Sequence, residues 1–176
     1  MPIVDTLVST EVISMATRAL VYIFNAHTNA WVALPTPSDY DGSSSTLVNN
    51  ARNTQGEVIG DVIKSDVAKV ELKWNYLSLA QYTALAQLFE PLYNGAFFNA
   101  VSFFDVIKGD FNGTVNPDNL SANPPTNKSG VNPCKVFYPN DRKVTFAHLK
   151  LDSNGKPIGY SNVQLNLIDT GKYYGE

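Results

Sequence analysis

The sequence predicts a mainly β fold: an antiparallel β-sandwich or flattened barrel with one flanking α-helix, at about residues 78–90, and long loops. Three observations predict it. Residues 68–76 alternate apolar and polar without a break, which puts Ala68, Val70, Leu72, Trp74 and Tyr76 on one face of a strand. Lys69, Glu71, Lys73 and Asn75 take the other face. Only one stretch has helical spacing, and the strands do not alternate with helices as a parallel α/β sheet requires. Turn-forming residues punctuate the apolar runs throughout.

Taken in order, Thr17–Phe24 reads as a first strand, rich in β-branched and aromatic residues. His27-Thr28-Asn29 turns it into a second piece, Trp31–Leu34. Prolines 35 and 37 and the serines 43–45 mark a flexible stretch, and residues 35–56 read as an extended loop. A hairpin is expected over Glu57–Leu77 with its turn at Lys64-Ser65-Asp66-Val67, although that turn lacks the Asn-Gly or Asp-Gly of a tight one.

Ser78 is a good helix N-cap, and Gln81 three residues on completes a capping box. Tyr82, Leu85, Ala86 and Phe89 follow at helical spacing, with Leu88 and Leu92 widening the apolar stripe. Pro91 ends the helix near Phe89 or Glu90, because the residue before a proline is pushed out of helical geometry. Asn94-Gly95 turns the chain into a strand over Ala96–Phe104, whose four phenylalanines predict cover on both faces.

Residues 106–133 are rich in Gly, Asn, Pro and Ser and read as a second long loop. Cys134–Tyr138, a turn at Pro139-Asn140-Asp141, and Lys143–Leu151 come next. Asp152-Ser153-Asn154-Gly155 is a hairpin turn into a last strand near Asn162–Ile168, where Val163, Leu165 and Leu167 alternate with Asn162, Gln164 and Asn166. The sum is about seven or eight strands in a single domain, 1–176, with no internal repeat.

The chain has 176 residues, enough to bury a core without disulfides or metals. Charged residues make up only 16%, below the usual ~25%. A sparsely charged surface suits wide protein contacts, and equally a loop-rich secreted β protein. The net charge of −3 and the scatter of the 13 Lys and Arg argue against a dedicated nucleic-acid binder. The amino terminus has neither the basic region nor the apolar core of a signal peptide, and the run Ala19–Phe24 is too short to span a membrane, so a soluble cytoplasmic product is expected.

Chemistry-bearing residues are few. His27 and His148 have no partners at metal spacing, and no HExxH, CxxC or phosphate-binding glycine loop is present. Asp105, Asp110 and Asp118 bracket the second loop but lack the spacing of a calcium loop. Ser44 or Ser102 with His148 and Asp141 lacks the Gly-x-Ser-x-Gly elbow of a nucleophile. Glu57 and Glu71 fall on polar strand faces near Lys64, Lys69 and Lys73. Cys134, the single cysteine, is expected to be a small buried hydrophobe. The triplets starting at Asn112, Asn119 and Asn127 fit glycosylation by chance alone. No catalytic, cofactor or metal residue is therefore assigned, and the chain is not expected to be an enzyme. Trp31, Tyr40, Tyr93, Tyr138, Tyr173 and Tyr174 are candidates for a carbohydrate platform, while Trp74 belongs to the core.

Three pieces together resemble a family of small phage tail or minor structural proteins: residues 50–60, residues 69–78 running into the helix, and the set 103–105, 137–142 and 166–171. The order of strand, hairpin, helix and strand is also similar to the fold of tail tube, tail terminator and distal tail proteins. The resemblance covers 50–105 and 134–171 and touches the first fifty residues poorly. It implies a structural subunit of a virion tail, made in a host bacterial cytoplasm, that assembles into a homo-oligomeric ring, usually a hexamer. Its partners would be itself, neighbouring tail proteins, and double-stranded DNA only as passing cargo. Loops 36–57 and 106–133 would be assembly loops, ordered mainly in the particle. The alternative is a carbohydrate- or receptor-binding β-sandwich module.

Overall fold

The long strand over Val58–Ser78 is the spine on which the rest is laid, and the alternation over 68–74 explains why. The computed structural model describes residues 18–143 and 149–176. Within them the strands are β1 (Val21–Asn25), β2 (Ala30–Ala33), β3 (Asp39–Arg52), β4 (Val58–Ser78), β5 (Asn99–Asp105), β6 (Asp110–Asn112), β7 (Lys135–Lys143), β8 (Leu149–Leu151) and β9 (Pro157–Tyr173). One helix, α1 (Leu79–Gln87), follows β4, and a short 3-10 turn covers Pro91–Tyr93. All strand pairs are antiparallel, in the order β2-β1-β5-β7-β9-β4-β3, with β6 beside β5 and β8 beside β9.

This is the expected mainly β architecture with one helix. The sheet curls without closing into a barrel. Its two halves enclose one core, in which Val70, Leu72 and Trp74 of β4 and Val163, Leu165 and Leu167 of β9 meet Ile23, Val101, Phe103 and Phe137. Trp74 keeps its indole satisfied by donating to Pro35 O at 3.0 Å. α1 packs against β9 and β4 with Leu85, Leu88 and Phe89 buried. Its capping box forms as predicted, Ser78 Oγ accepting from Gln81 N while Gln81 Oε1 accepts from Ser78 N.

A second apolar cluster lies on the other face of β1 and β5. Tyr22, Phe24, Trp31, Ala100, Val115 and Cys134 form it, so β5 itself is covered on both faces, whereas Phe97 and Phe98, expected to share that cover, precede the strand and are exposed. The cover is the 106–133 excursion. That segment, read as a long loop, is packed against the sheet here. It contains β6, and Val115 is buried against β1. Asn132 is also buried: it donates to Thr114 O and Asn123 O at 2.9 Å each and accepts from Thr114 N at 2.7 Å. A buried amide with its bonds made supplies the order that few apolar residues could not.

Several boundaries move. Residues 39–52, read as loop, are β3, because pairing with a strong β4 partner overrides the turn preference of Ser, Asp and Gly. The hairpin therefore joins β3 to β4 through Asn53–Glu57, where Gly56 has φ +84°. The predicted turn at 64–67 is instead a bulge inside β4, with Asp66 in the left-handed region at φ +58°. Pro139-Asn140-Asp141 likewise stays within β7 as an irregularity against β9.

Tyr76 leaves the core face and is 48% exposed, while Leu77 turns inward as the chain enters α1. α1 ends at Gln87, and Leu92, placed on the apolar stripe, is 90% exposed. The strand read from Ala96 starts at Asn99. His148 and the start of the first strand at Thr17 lie outside the described residues.

Candidate functional site

Three places on this frame carry more than scaffold: a polar seam, a projecting ribbon and an exposed aromatic surface. The seam lies where the curled sheet brings the start of β3 over the end of β5. Val106 N donates to Gly42 O at 2.9 Å, and Tyr40 Oη donates to Phe104 O. Asp105 is fully buried and sits at the centre. Its Oδ2 accepts from Ser44 N at 3.1 Å, from Ser44 Oγ and from Asn112 Nδ2 at 3.0 Å. Its Oδ1 accepts from Ile107 N at 2.9 Å and Lys108 N at 3.1 Å. Burial alone raises the Asp105 carboxyl, but these bonds, led by Ser44, outweigh it and hold the pKa below the ordinary carboxylate value.

Beside it, Lys135 Nζ lies 3.0 Å from Asp66 Oδ2 and 3.1 Å from Asp169 Oδ2, and Lys108 Nζ lies 3.5 Å from Asp66 Oδ1. Burial opposes both charges, yet the Lys135 bonds lower the Asp66 pKa, and Asp66 with Asp169 raises that of Lys135. Asp66, Lys108 and Lys135 border a cleft of about 250 Å³ that also touches Phe111 and Tyr173. Two lysines are matched against three carboxylates, and each ammonium is already engaged. The network ties the β4 bulge to β7, β9 and the β5–β6 turn.

The ribbon is formed by β3 and β4 beyond Ala68. β9 pairs with β4 only from Lys69 onward, so between Val58 and Ser65 β4 has β3 as its one paired strand among the described strands. At ~3.3 Å per residue that length spans roughly 30 Å. Beyond Asp66, no further strand among the described residues pairs with its two outer edges.

The aromatic surface joins Phe97, Phe98 and Tyr138. Phe97 stacks on Tyr138 with ring centroids 6.0 Å apart, and Phe98 meets both edge-on. Phe98 is 59% exposed. It borders a mostly apolar groove of about 330 Å³ lined by Val136, Thr170 and Tyr173, with Lys172 and Glu176 at the rim.

The other candidate residues are dispersed. His27 is exposed in the β1–β2 turn. Ser44 is bound to Asp105, and Ser102 is buried with its hydroxyl on Gly113 O at 2.9 Å. Asp110 is exposed and accepts from Phe111 N, and Asp118 is exposed elsewhere in the excursion. Among the described residues no group of three His, Cys, Asp or Glu is placed to hold a metal ion. Glu57 caps the ribbon turn with Asn53, roughly 40 Å along the strand from Glu71, which pairs with Lys69. They cannot flank one glycosidic bond.

Of the platform aromatics, Trp31 is core, Tyr40 lies on the seam and Tyr174 packs edge-on against Phe24. Tyr173 lines the groove, and Tyr93 is exposed on the 3-10 turn. Burial pushes the Cys134 thiol up to about 12, so it is inert at neutral pH.

Sequence reasoning weighed Asp105 only as a calcium ligand and placed Phe97 and Phe98 on a covered strand. The signal was present in both. An acid closing an apolar strand at Phe103-Phe104-Asp105 has to find donors. Adjacent apolar residues beside the Asn94-Gly95 turn cannot both face one core. No protein-family model matches the chain, and no curated protein matches it.

Proposed function

We propose that this chain is a structural subunit of a bacteriophage tail or tail-like particle, a tube, terminator, connector or baseplate component that acts by homo-oligomeric ring assembly and docking to neighbouring tail proteins. The observation that carries the reading is the β3–β4 ribbon, a two-stranded arm that pairs with no further strand among the described residues. A ribbon of this kind is suited to extend a neighbour's sheet by strand addition. The outer face of β4 supports the same reading. Lys69, Glu71 and Lys73 make it polar and mixed in charge, as a surface lining a wet lumen would be. The net charge of −3 keeps passing DNA from adhering.

Electron microscopy and light scattering across a concentration series test it. Rings or tubes are expected, and a strict monomer at high concentration overturns the reading. A carbohydrate- or receptor-binding module is the second reading, favoured by the exposure of Phe97 and Phe98 beside the half-buried Tyr138. Glycan binding that disappears on Tyr138→Ala would select it.

A further inference from the structure

We propose that the groove beside Phe98 receives the Val106–Ile107 turn of a second copy of this chain, so that copies join head to tail. The inference rests on the ring-subunit reading and names one contact of that assembly. Leu92, Tyr93, Phe97 and Phe98 all lie exposed within one short stretch of chain. At ~200 Å² for a side chain of this size, they present on the order of 400 Å² of apolar surface. Of these, Phe97 and Phe98 are in ring contact with each other, and Phe98 lines the groove.

The turn is the matching feature. Val106 and Ile107 are 50% and 67% exposed, and neither belongs to the two apolar clusters formed by the described residues. They are nevertheless held rigidly. Asp105 Oδ1 accepts from Ile107 N and Lys108 N, Gly109 N donates to Asp105 O at 2.8 Å, and Val106 N is bound to Gly42 O. A preorganised pair of branched side chains loses little freedom on docking. The groove, about 330 Å³ and mostly apolar, has room for such a pair. Charge agrees as well. Asp110, exposed beside the turn, is opposite in sign to Lys172 at the rim of the groove.

Topology sets the symmetry. Phe98 precedes β5 and Val106 follows it, so the two surfaces stand at opposite ends of one strand, roughly 20 Å apart. Contact between unlike surfaces is heterologous and repeats from copy to copy, closing as a ring or continuing as a filament.

The test uses the full chain. Phe98→Ser and Ile107→Ser, with unchanged thermal melts, are each expected to raise the concentration for half-assembly at least tenfold. A chain carrying both Phe98→Cys and Ile107→Cys should give a disulfide ladder of trimers and higher species on mild oxidation, against a low background because Cys134 is buried. Either single cysteine variant should give little. Dimers from Phe98→Cys alone would overturn the inference, since the groove would then face itself. Wild-type rings with no ladder, and serine variants that assemble normally, would overturn it while leaving the ring reading intact. A wild-type chain that stays monomeric at every concentration overturns both.

Discussion

Replacing Asp105 with Asn probes the seam with almost no change in shape. Five donors converge on this buried carboxylate, from Ser44 N, Ser44 Oγ, Asn112 Nδ2, Ile107 N and Lys108 N. Whichever oxygen the amide nitrogen replaces, at least two donors then face a donor. Hydrogen bonds to a charged group contribute about 1.5–3 kcal/mol each, and a stranded donor costs about 1–3 kcal/mol. Allowing for relaxation at the exposed Lys108, the expected loss is about 3–5 kcal/mol.

Urea unfolding should show that loss as a lower midpoint at an unchanged slope. Thermal unfolding should fall by about 10 °C, at ~2–4 °C per kcal/mol for a domain of this size. The pH dependence gives a second readout. In the folded chain Asp105 and Asp66 ionise below the ordinary carboxylate value. The stability they supply is complete above about pH 4 and is lost as acid titrates through their folded pKa values. Asp105→Asn should therefore flatten the acid limb while leaving the Asp66 share. A loss under about 1 kcal/mol, or an acid limb identical to wild type, would refute the account of the seam.

Three further outcomes follow from the same structure. Ser78→Ala removes the α1 N-cap and its box and should cost about 1 kcal/mol by urea titration, with Ser78→Asp recovering most of it. Asn132→Ala strands the main-chain groups of Thr114 and Asn123; a loss of about 2–3 kcal/mol and faster tryptic cleavage at Lys128 are expected, and a wild-type digest would count against the packed excursion. Cys134, with its thiol pushed up to about 12, should react with a thiol reagent at pH 8 only after denaturant is added, and rapid native labelling would contradict its burial.

Much of the frame was legible because its signals are local. The alternation in β4 and β9 and the Ser78/Gln81 box each specify a face or an end within a few residues, and the structure keeps Val70, Leu72, Trp74, Val163, Leu165 and Leu167 inward. Tyr76 departs from that pattern because β3 begins at Asp39, opposite Lys73, and β4 turns toward α1 beyond that point. The exposed surface was less legible. Phe98 and Leu92 carry the composition of core residues, and only the position of the Asn94-Gly95 turn relative to β5 places them outside.

By itself the sequence determined the fold class, the place and start of the one helix, the inward residues of the two central strands and the burial of Cys134. These are settled by the period of side chains along a strand or helix and by capping chemistry, both properties of neighbouring residues. Tertiary structure alone decided that residues 39–52 are strand, that 106–133 is a packed cover, and that Asp105 ties β3 to β5. Each depends on pairings that a local pattern does not specify, β3 reaching from Asp39 to Lys73 of β4 and Asp105 and Ser44 being 61 apart. No local pattern encodes which distant donor a buried carboxylate will meet.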